Sequence, residues 1–308
     1  MAANRRKLTM GVAMAAVVAV ALGAGIGAAD AGTRSSWWSA KPAAKPTTKP
    51  AAKPSASATP VPTGTAAGSW APPPADATFD YQIGGAYTPP AGVTVVSRDR
   101  EATPAAGTYT ICYVNAFQVQ PGDESWWQAH HDDLLLKDKS GKYVIDEDWD
   151  EMMLDFSTDA KRTALTEIVG EWIDGCAAAG FRAIESDNLD SYTRSQKLLT
   201  QEQALAYATA LNSRAHAQGL AAGQKNTAEL TSTDARKAGF DFAVAEECAD
   251  FDECDAYTAT YGSNVIVIEY SRSGFAKACS SVGGTLSVVL RDVDVTTPGS
   301  DSYVYEAC

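Results

Sequence analysis

Several acidic side chains are concentrated in one short segment of the sequence. In the run AIESDNLDSY, residues 183–192, Glu185, Asp187 and Asp190 stand within six positions, with Asn188 among them. Each carboxylate raises the proton affinity of its neighbours, so grouping them beside an apolar run costs free energy. Paired carboxylates perform acid–base and nucleophilic catalysis, for example in the hydrolysis of glycosidic bonds. This segment is therefore the first candidate for a catalytic site.

Other apolar runs along the chain also end in polar residues. The runs are VTVVSRD, LAAGQKN, DFAVAEE, NVIVIEY and LSVVLRD, and their ends supply Asp99, Lys225 with Asn226, Glu246 with Glu247, Glu269 with Tyr270, and Asp292. If the runs are parallel strands of one barrel, their carboxyl ends meet at one face, where such barrels build their active sites. We therefore expect a shared acidic rim at that face.

Strand periodicity predicts which of these side chains point inward, because alternate residues share a face. We expect the bulkier Ile184, Ile266 and Ile268 to pack against helices. The carboxylates expected to point into the barrel or its mouth are Glu185, Asp187, Glu246 and Glu269. The simpler interpretation is that the acids cap helices or pair with Lys225, Arg182 and Arg291. Their recurrence at successive strand ends favours a site.

The elements that must position these residues alternate along the chain after Phe79. A helical pattern covers 159–179 and stops at Gly180. Thr200 with Gln203 resembles a capping box that opens a helix ending near Gly219. DYQI, TYTICYVN, MLDFS and FRAIESDN complete the predicted strands. About eight such units predict an α/β fold, a (β/α)8 TIM-like barrel. An open doubly wound sheet is the alternative, but no G-x-G-x-x-G turn follows the first strand.

The N-terminal part of the chain predicts export. Three basic residues precede an apolar run at 10–29 and a small-residue cleavage site, so residues 1–31 fit a signal peptide. The apolar run is also long enough to span a bilayer, so an uncleaved membrane anchor is the alternative. Residues 32–74 are rich in Ala, Lys, Pro and Thr and predict an extended linker. Residues 75–308 then form a single catalytic domain.

Six cysteines lie in that domain, and an even number in an exported chain favours disulfides. Local spacing favours Cys248–Cys254, which leaves Cys279–Cys308 to hold the C-terminus and Cys112–Cys176 as the remainder. The sequence does not fix the pairing. A zinc site is the alternative, but no CxxC pair or nearby histidine supports it. We expect neither a metal nor a cofactor.

Composition excludes other classes of function. The net charge of −13 argues against a nucleic-acid partner. The charge either aids solubility or attracts a cationic ligand into a cleft. There is no G-x-S-x-G or H-E-x-x-H motif, and only three histidines occur. Paired carboxylates without a metal motif therefore favour glycoside hydrolysis. Aromatic residues near the strand ends, Tyr81, Tyr113 and Tyr270 among them, are candidates to contact a sugar.

Four segments, FRAIESDNLDSY, LAAGQKN, AEECADFDEC and VIVIEY, resemble glycoside hydrolase family 114. The resemblance extends from about Phe79 to the C-terminus. It implies a TIM-like barrel and endo-α-1,4-polygalactosaminidase activity. The aspartate of the DN motif corresponds to Asp187 and the glutamate of the E-x-C motif to Glu246, which implies that these two are the catalytic carboxylates.

The same resemblance implies residues that line the substrate cleft, namely Asn188, Asp190, Lys225, Asn226, Glu269 and Tyr270. We expect Lys225 and Asn226 to hydrogen-bond the sugar and Tyr81 and Tyr270 to stack on it. Ser186 stands where a proline is frequent in the family, and the stretch YVNAFQVQPGDESWW departs from its usual form. These departures leave substrate length and linkage open.

The expected partner is a polysaccharide, in particular a partly deacetylated galactosamine polymer, whose positive charge an acidic cleft would concentrate. We expect a monomer that is secreted or tethered at the cell surface, with membrane contact only through an uncleaved anchor. The alternative function is a non-catalytic polysaccharide-binding module on the same scaffold.

Overall fold

The computed structural model describes residues 69–308. The predicted signal peptide and the predicted linker up to residue 68 lie outside the described residues. Within residues 69–308, no helix has the length and apolar character needed to cross a membrane.

Eight parallel strands form the main sheet, in the order β1, β2, β3, β6, β7, β8, β9, β10. Their bounds are β1 Phe79–Gln82, β2 Val95–Asp99, β3 Tyr109–Asn115, β6 Ala183–Asp187, β7 Ala221–Lys225, β8 Phe242–Glu246, β9 Val265–Glu269 and β10 Ser287–Arg291. A short strand, β11 at Tyr305–Ala307, pairs antiparallel with β10. The predicted fold class, a TIM-like α/β barrel, is confirmed.

Side chains join the first and last parallel strands of the barrel. The N–H of Ala77 donates to Ser287 Oγ at 2.9 Å, and Asp80 Oδ1 lies 3.3 Å from Arg291 Nη1. Among the strand pairs of residues 69–308, no backbone ladder links β1 to β10. Polar side chains therefore close the barrel at this seam.

In the part of the chain that the structure describes, six α-helices lie around the sheet, α1 Glu124–His130, α2 Asp159–Ala179, α3 Gln201–Ala217, α4 Ser232–Lys237, α5 Cys254–Tyr261 and α6 Arg272–Ser281. The predicted helix at 159–179 is confirmed as α2, and Gly180 ends it in the left-handed conformation with φ 99°. The capping box of Thr200 and Gln203 begins α3 as predicted.

One predicted strand, MLDFS, is not part of the barrel. The chain forms instead a two-stranded antiparallel ribbon, β4 at Ile145–Asp146 and β5 at Glu151–Met152. Met153 and Leu154, within MLDFS, make only isolated bridges, to Gln118 and Leu135. The ribbon belongs to the long connection between β3 and α2, and its apolar residues pack in the layer between strands and helices. Apolar content alone therefore did not distinguish this segment from a barrel strand.

The barrel interior and the layer beneath the helices form two separate hydrophobic clusters. Small residues on β7 make room for large ones in the interior. A Cβ at Gly223 would lie 2.8 Å from the Phe242 ring and 3.2 Å from the Ile184 carbonyl oxygen. Gly223 therefore lets Phe242 fill the barrel axis, and Lys225, two residues later on the same face, stands above that packed floor.

Three disulfides are present, Cys112–Cys176, Cys248–Cys254 and Cys279–Cys308. This is the pairing that local spacing favours. The first joins β3 to α2, the second closes the loop between β8 and α5, and the third holds the C-terminus to α6.

The folded unit includes residues that the sequence assigned to the linker. The Trp70 ring stacks on His216 at 4.0 Å between centroids, and its indole N–H donates to Asp241 at 3.2 Å. The backbone carbonyls of Ala71 and Pro73 accept hydrogen bonds from Tyr109 and Asn264. The boundary at residue 75 is therefore several residues too late, because the end of the linker packs on the barrel.

Candidate active site

Four charged side chains from three neighbouring strands meet at the carboxyl end of the barrel. We call Lys225 together with Glu185, Asp187 and Glu246 the site network. Lys225 Nζ lies 3.1 Å from Asp187 Oδ1, 3.2 Å from Glu185 Oε1 and 3.4 Å from Glu246 Oε2. Asp187 Oδ1 and Glu246 Oε2 can therefore be no farther apart than the sum of their two distances, about 6.5 Å. The structure thus brings the two predicted catalytic carboxylates together.

Lys225 remains charged although it is almost fully buried. Burial lowers the pKa of its ammonium group, but Asp187, Glu246 and Glu185 outweigh that effect and hold the pKa well above its ordinary value. One fixed positive charge therefore stands between three carboxylates.

Asp187 is held as a carboxylate. Burial alone would raise its pKa, but the charge of Lys225 and hydrogen bonds from Tyr113 and the Asn188 N–H bring the pKa below its ordinary value. Tyr113 Oη donates to Oδ2 at 2.6 Å, and the Asn188 N–H donates to Oδ1 at 2.7 Å. The Asp187 side chain keeps 16% of its surface exposed, so an ionised oxygen remains accessible.

Glu246 faces the same opening and is held from two sides. Asn226 Nδ2 donates to Oε2 at 2.8 Å, and Asn226 Oδ1 accepts the Glu246 N–H at 2.9 Å. Tyr270 Oη donates to Oε1 at 2.5 Å. The Glu246 side chain is 22% exposed. Its position is therefore fixed while access from solvent is kept.

Glu185 lies below these two and is closed off from solvent. Its oxygens accept hydrogen bonds from Tyr81 Oη at 2.8 Å and from Ser97 Oγ at 2.7 Å. Burial, opposed by Lys225 and reinforced by Asp187, raises the pKa of Glu185. Tyr81 is fully buried, so the predicted stacking of Tyr81 on a sugar is wrong, and Tyr81 instead supports Glu185.

An asparagine follows each of two strands in the left-handed backbone conformation, which directs its side chain into the site. Asn188 after β6 has φ 64°, and Asn226 after β7 has φ 49°. Asparagine tolerates this region better than most residues. The turn at Asn226 lets its amide reach back to Glu246, and the turn at Asn188 directs its amide toward Asn115 at 3.0 Å.

Glu151 is a site residue that sequence reasoning missed. Asn115 Nδ2 donates to Glu151 Oε2 at 2.9 Å, and Asn188 Nδ2 lies 3.4 Å from the same oxygen. Burial and the charge of Asp187 raise the pKa of Glu151 to about 8, against opposing hydrogen bonding from Asn115. The only sequence signal is its place in the acidic run DEDWDE, which predicts a solvated turn. Ser97 was missed too, although it shares the inward face of β2 with Asp99.

Glu269 does not point into the barrel as predicted. Ile266 and Ile268 of β9 fill the interior, whereas Val265 and Val267 join the outer cluster, so Glu269 faces outward with them. Glu269 Oε1 accepts the Ala249 N–H at 2.9 Å, behind the site. The prediction was wrong because both faces of β9 are apolar. The larger size of the isoleucines therefore did not identify the face that packs against the helices.

Three other predicted acids serve their local loops. Asp99 accepts the N–H of Glu101 at 2.8 Å, and Asp292 accepts the N–H of Thr296 at 2.8 Å. Asp190 pairs with Arg194 at 2.8 Å. None of the three makes a contact with the site network among residues 69–308.

Carboxylates outnumber cations at this opening. The site network holds three acids and one lysine, and Glu151 adds a fourth acidic side chain beside Asp187. Residues 69–308 contain no group of three or more His, Cys, Asp or Glu side chains that could hold a metal ion. The arrangement can therefore attract a positive group and present carboxylate oxygens to a reacting carbon.

Comparisons with known proteins give a matching family model and similar solved structures. The model of glycoside-hydrolase family GH114 matches residues 59–308. The structure of Ega3 from Aspergillus fumigatus, solved in complex with galactosamine, is 21% identical, with a TM-score of 0.63 over 80% of this chain and 100% of that one. The glycoside hydrolase domain of PelA from Pseudomonas aeruginosa is 16% identical, with a TM-score of 0.50 over 74% of this chain and 98% of that one. No curated protein sequence matches the chain.

Proposed function

The chain belongs to glycoside-hydrolase family GH114, and we propose that it is an endo-acting hydrolase of α-1,4-linked, galactosamine-containing polysaccharide. The observation that carries the proposal is that Lys225 holds Asp187 and Glu246 at one solvent-open end of the barrel. Likeness to the galactosamine complex of Ega3 supports the choice of sugar.

Two carboxylates at this separation support a retaining mechanism. Retaining glycosidases place their carboxyl groups about 5–5.5 Å apart and inverting ones about 6.5–9.5 Å apart. The upper limit of about 6.5 Å between Asp187 Oδ1 and Glu246 Oε2 favours the shorter class.

The environment of Asp187 supports its role as the nucleophile, because its lowered pKa keeps it ionised at neutral pH. Its oxygen attacks the anomeric carbon while the bond to the glycosidic oxygen breaks. Glu246 gives its proton to that leaving oxygen, then takes a proton from the water that releases the sugar from Asp187.

The excess of carboxylates supports a cationic substrate. Unacetylated galactosamine units carry ammonium groups, and an acidic opening concentrates them through its field. Because salt screens this attraction, we expect the rate on a deacetylated polymer to fall as ionic strength rises. Rates that stay constant from low to high salt would contradict a cationic substrate.

The test is the release of reducing ends from galactosamine polymers by the full chain and by Asp187→Asn and Glu246→Gln. Each substitution keeps the size of its side chain and removes the carboxyl group that attacks the sugar or transfers the proton. We expect kcat to fall by about 10⁴-fold in the first and about 10²–10⁴-fold in the second. Equal cleavage by all three proteins would refute the assignment. Binding without cleavage by all three would support the polysaccharide-binding module instead.

We also propose export. The N-terminal pattern of residues 1–31 and the linker that follows support secretion or tethering at a cell surface. Three disulfides fit an oxidising compartment. Mass determination of the N-terminus of the secreted protein would distinguish a cleaved signal peptide from a retained anchor.

A further inference from the structure

Glu151 reaches the candidate active site from outside the barrel. It stands on β5, in the ribbon inserted between β3 and α2, whereas the other acids of the site stand on barrel strands. Two asparagine amides hold one of its oxygens, Asn115 from the end of β3 and Asn188 from the turn after β6. Asn115 is also the register partner of Asp187, so Glu151 lies beside the proposed nucleophile.

The charges around Glu151 leave it without an ion-pair partner. Asp187 and Asp146 repel its negative charge, and Arg194, a cation that acts on Glu151, is already bound to Asp146 and Asp190. Among residues 69–308, Oε2 is the oxygen that receives hydrogen bonds, and no Lys, Arg or His lies within ion-pair distance of Glu151. The ionised form of Glu151 is therefore unfavourable in this position unless a ligand supplies a positive charge.

We propose that Glu151 binds the ammonium group of an unacetylated amino sugar beside the unit attacked by Asp187, and so selects deacetylated substrate. The inference rests on the proposed function and names a residue that decides which polymer is accepted. Lys225 cannot perform this selection, since it is positive and is itself occupied by the three acids of the site network. An N-acetyl group would bring no charge and a single amide N–H donor in place of the three N–H donors of an ammonium group.

Binding of an ammonium group would change the protonation of Glu151. With its pKa raised to about 8, the free enzyme holds Glu151 largely protonated at pH 7. A bound cation favours the ionised form, so binding would release a proton from Glu151. The charged neighbours that act on Glu151 are Asp187, Asp146 and Arg194.

The experiment compares fully deacetylated and fully N-acetylated galactosamine oligomers as substrates of wild type, Glu151→Gln and Glu151→Asp. We expect Glu151→Gln to lower kcat/KM for the deacetylated oligomer by about 10–100-fold, mainly through KM, and to leave the N-acetylated oligomer within about twofold. Glu151→Asp should recover part of the loss. Glu147→Gln is the matched control, because it makes the same substitution at an exposed position in the same ribbon. It should leave kcat/KM unchanged for both oligomers.

A second readout does not depend on turnover. Calorimetric titration of Glu246→Gln with deacetylated oligomer, in buffers of different ionisation enthalpy at pH 7, should show proton release that is absent from Glu246→Gln combined with Glu151→Gln. Thermal melting of each variant confirms that it is folded.

The outcomes separate this inference from the proposed function. If wild type cleaves the polymer and Glu151→Gln behaves like wild type on both oligomers, the Glu151 assignment is wrong and the proposed function stands. An equal loss of kcat on both oligomers also overturns it, since that result would make Glu151 an acid catalyst or a structural residue. If wild type neither cleaves nor binds either oligomer, both proposals fail.

Discussion

Two buried ion networks of the protein compensate the free-energy cost of burying charge in different ways. In the site network, three acids surround Lys225 at the open end of the barrel. The other, which we call the seam network, consists of Asp80, Gln82, Arg98 and Arg291 and lies where β1 meets β2 and β10. Arg291 and Asp80 are fully buried, and their closest atoms are 3.3 Å apart.

Each guanidinium nitrogen of the seam network has a hydrogen-bond partner. Arg291 also donates to the carbonyls of Thr296 and Val304, and Arg98 donates to Gln82 and to the carbonyls of Thr103 and Tyr87. Its excess positive charge is therefore shared with backbone carbonyl oxygens. The site network has an excess of negative charge, and Asp187 and Glu246 keep an exposed edge.

This difference in pairing relates the burial of charge to function in this barrel. A buried cation with a partner for each of its nitrogens holds strands together, whereas a buried charge left partly unpaired beside solvent is available to a ligand. Each prediction below alters one network and uses the other as a reference.

The largest effect is expected for Lys225→Met. Three carboxylates would lose their common cation, and we expect kcat/KM to fall by about 10³-fold because Asp187 would no longer be held ionised. Without the ammonium the carboxylate pKa values rise, so folding stability relative to wild type should be preserved better at pH 5 than at pH 8. Kinetics and urea unfolding at both pH values measure this.

Lys277→Met is the control for that substitution, because Lys277 makes an exposed ion pair with Asp252. A Lys225→Met protein with near-normal kcat/KM would show that the site network is structural only.

Arg291→Met should disrupt the seam network without altering the site. Removing one partner of a buried pair leaves Asp80 uncompensated, which costs about 3–5 kcal/mol of unfolding free energy. Activity per folded molecule should stay within about twofold of wild type. Arg272→Met, at an exposed ion pair with Glu306, should change stability by less than about 1 kcal/mol.

If Arg291→Met instead lowers kcat with unchanged unfolding free energy, the division between a structural network and a functional one is wrong.

Tyr113→Phe tests one hydrogen bond of the site network. The phenol donates to Asp187 at 2.6 Å, and a hydrogen bond to a charged group contributes about 1.5–3 kcal/mol. We therefore expect kcat/KM to fall by about 10–100-fold. Because Tyr113 helps to lower the pKa of Asp187, the acid limb of the pH–rate profile should shift to higher pH.

The reference in the seam network is Tyr87→Phe, which removes a phenol that donates to Asp80 at 2.9 Å. Its pH–rate profile should match wild type. A shift of equal size in both variants would indicate a general effect on the fold.

The smallest effect is expected for Glu269→Gln. Burial raises the pKa of Glu269 to about 7, so wild type loses stability as pH rises from about 4.5 through 7 and Glu269 ionises. The neutral variant should avoid this loss, so its gain in stability over wild type should be larger at pH 8 than at pH 5. Thermal melting across this pH range measures it. A variant that is less stable at both values would show that ionised Glu269 has a favourable partner.

Most of the fold could be predicted from the sequence because its signals are local. Eight of the nine predicted strands form the barrel, and the capping box of Thr200 and the stop at Gly180 mark the two longest helices. These features depend on hydrogen bonds and conformational preferences within a few residues. MLDFS was mistaken for a barrel strand because its apolar residues pack against helices rather than in the sheet.

Half of the site could be predicted in the same way. Asp187, Glu246 and Lys225 end their strands and Asn226 follows directly, so periodicity and the convergence of strand ends place them together. Glu246 and Glu269 end two adjacent strands of similar sequence, yet only Glu246 faces the site. Which face of a strand points into the barrel depends on what packs on each side. When both faces are apolar, the local sequence does not indicate the inward one.

The sequence by itself determined an acidic barrel with its carboxylates at the strand ends, because alternation and end positions are properties of the chain. Only the tertiary structure decided that Lys225 stands between three acids, that Glu269 turns outward and that Glu151 arrives from a distant ribbon. Those facts depend on distances between residues that are far apart in the chain, and the electrostatic energy of a site depends on those distances.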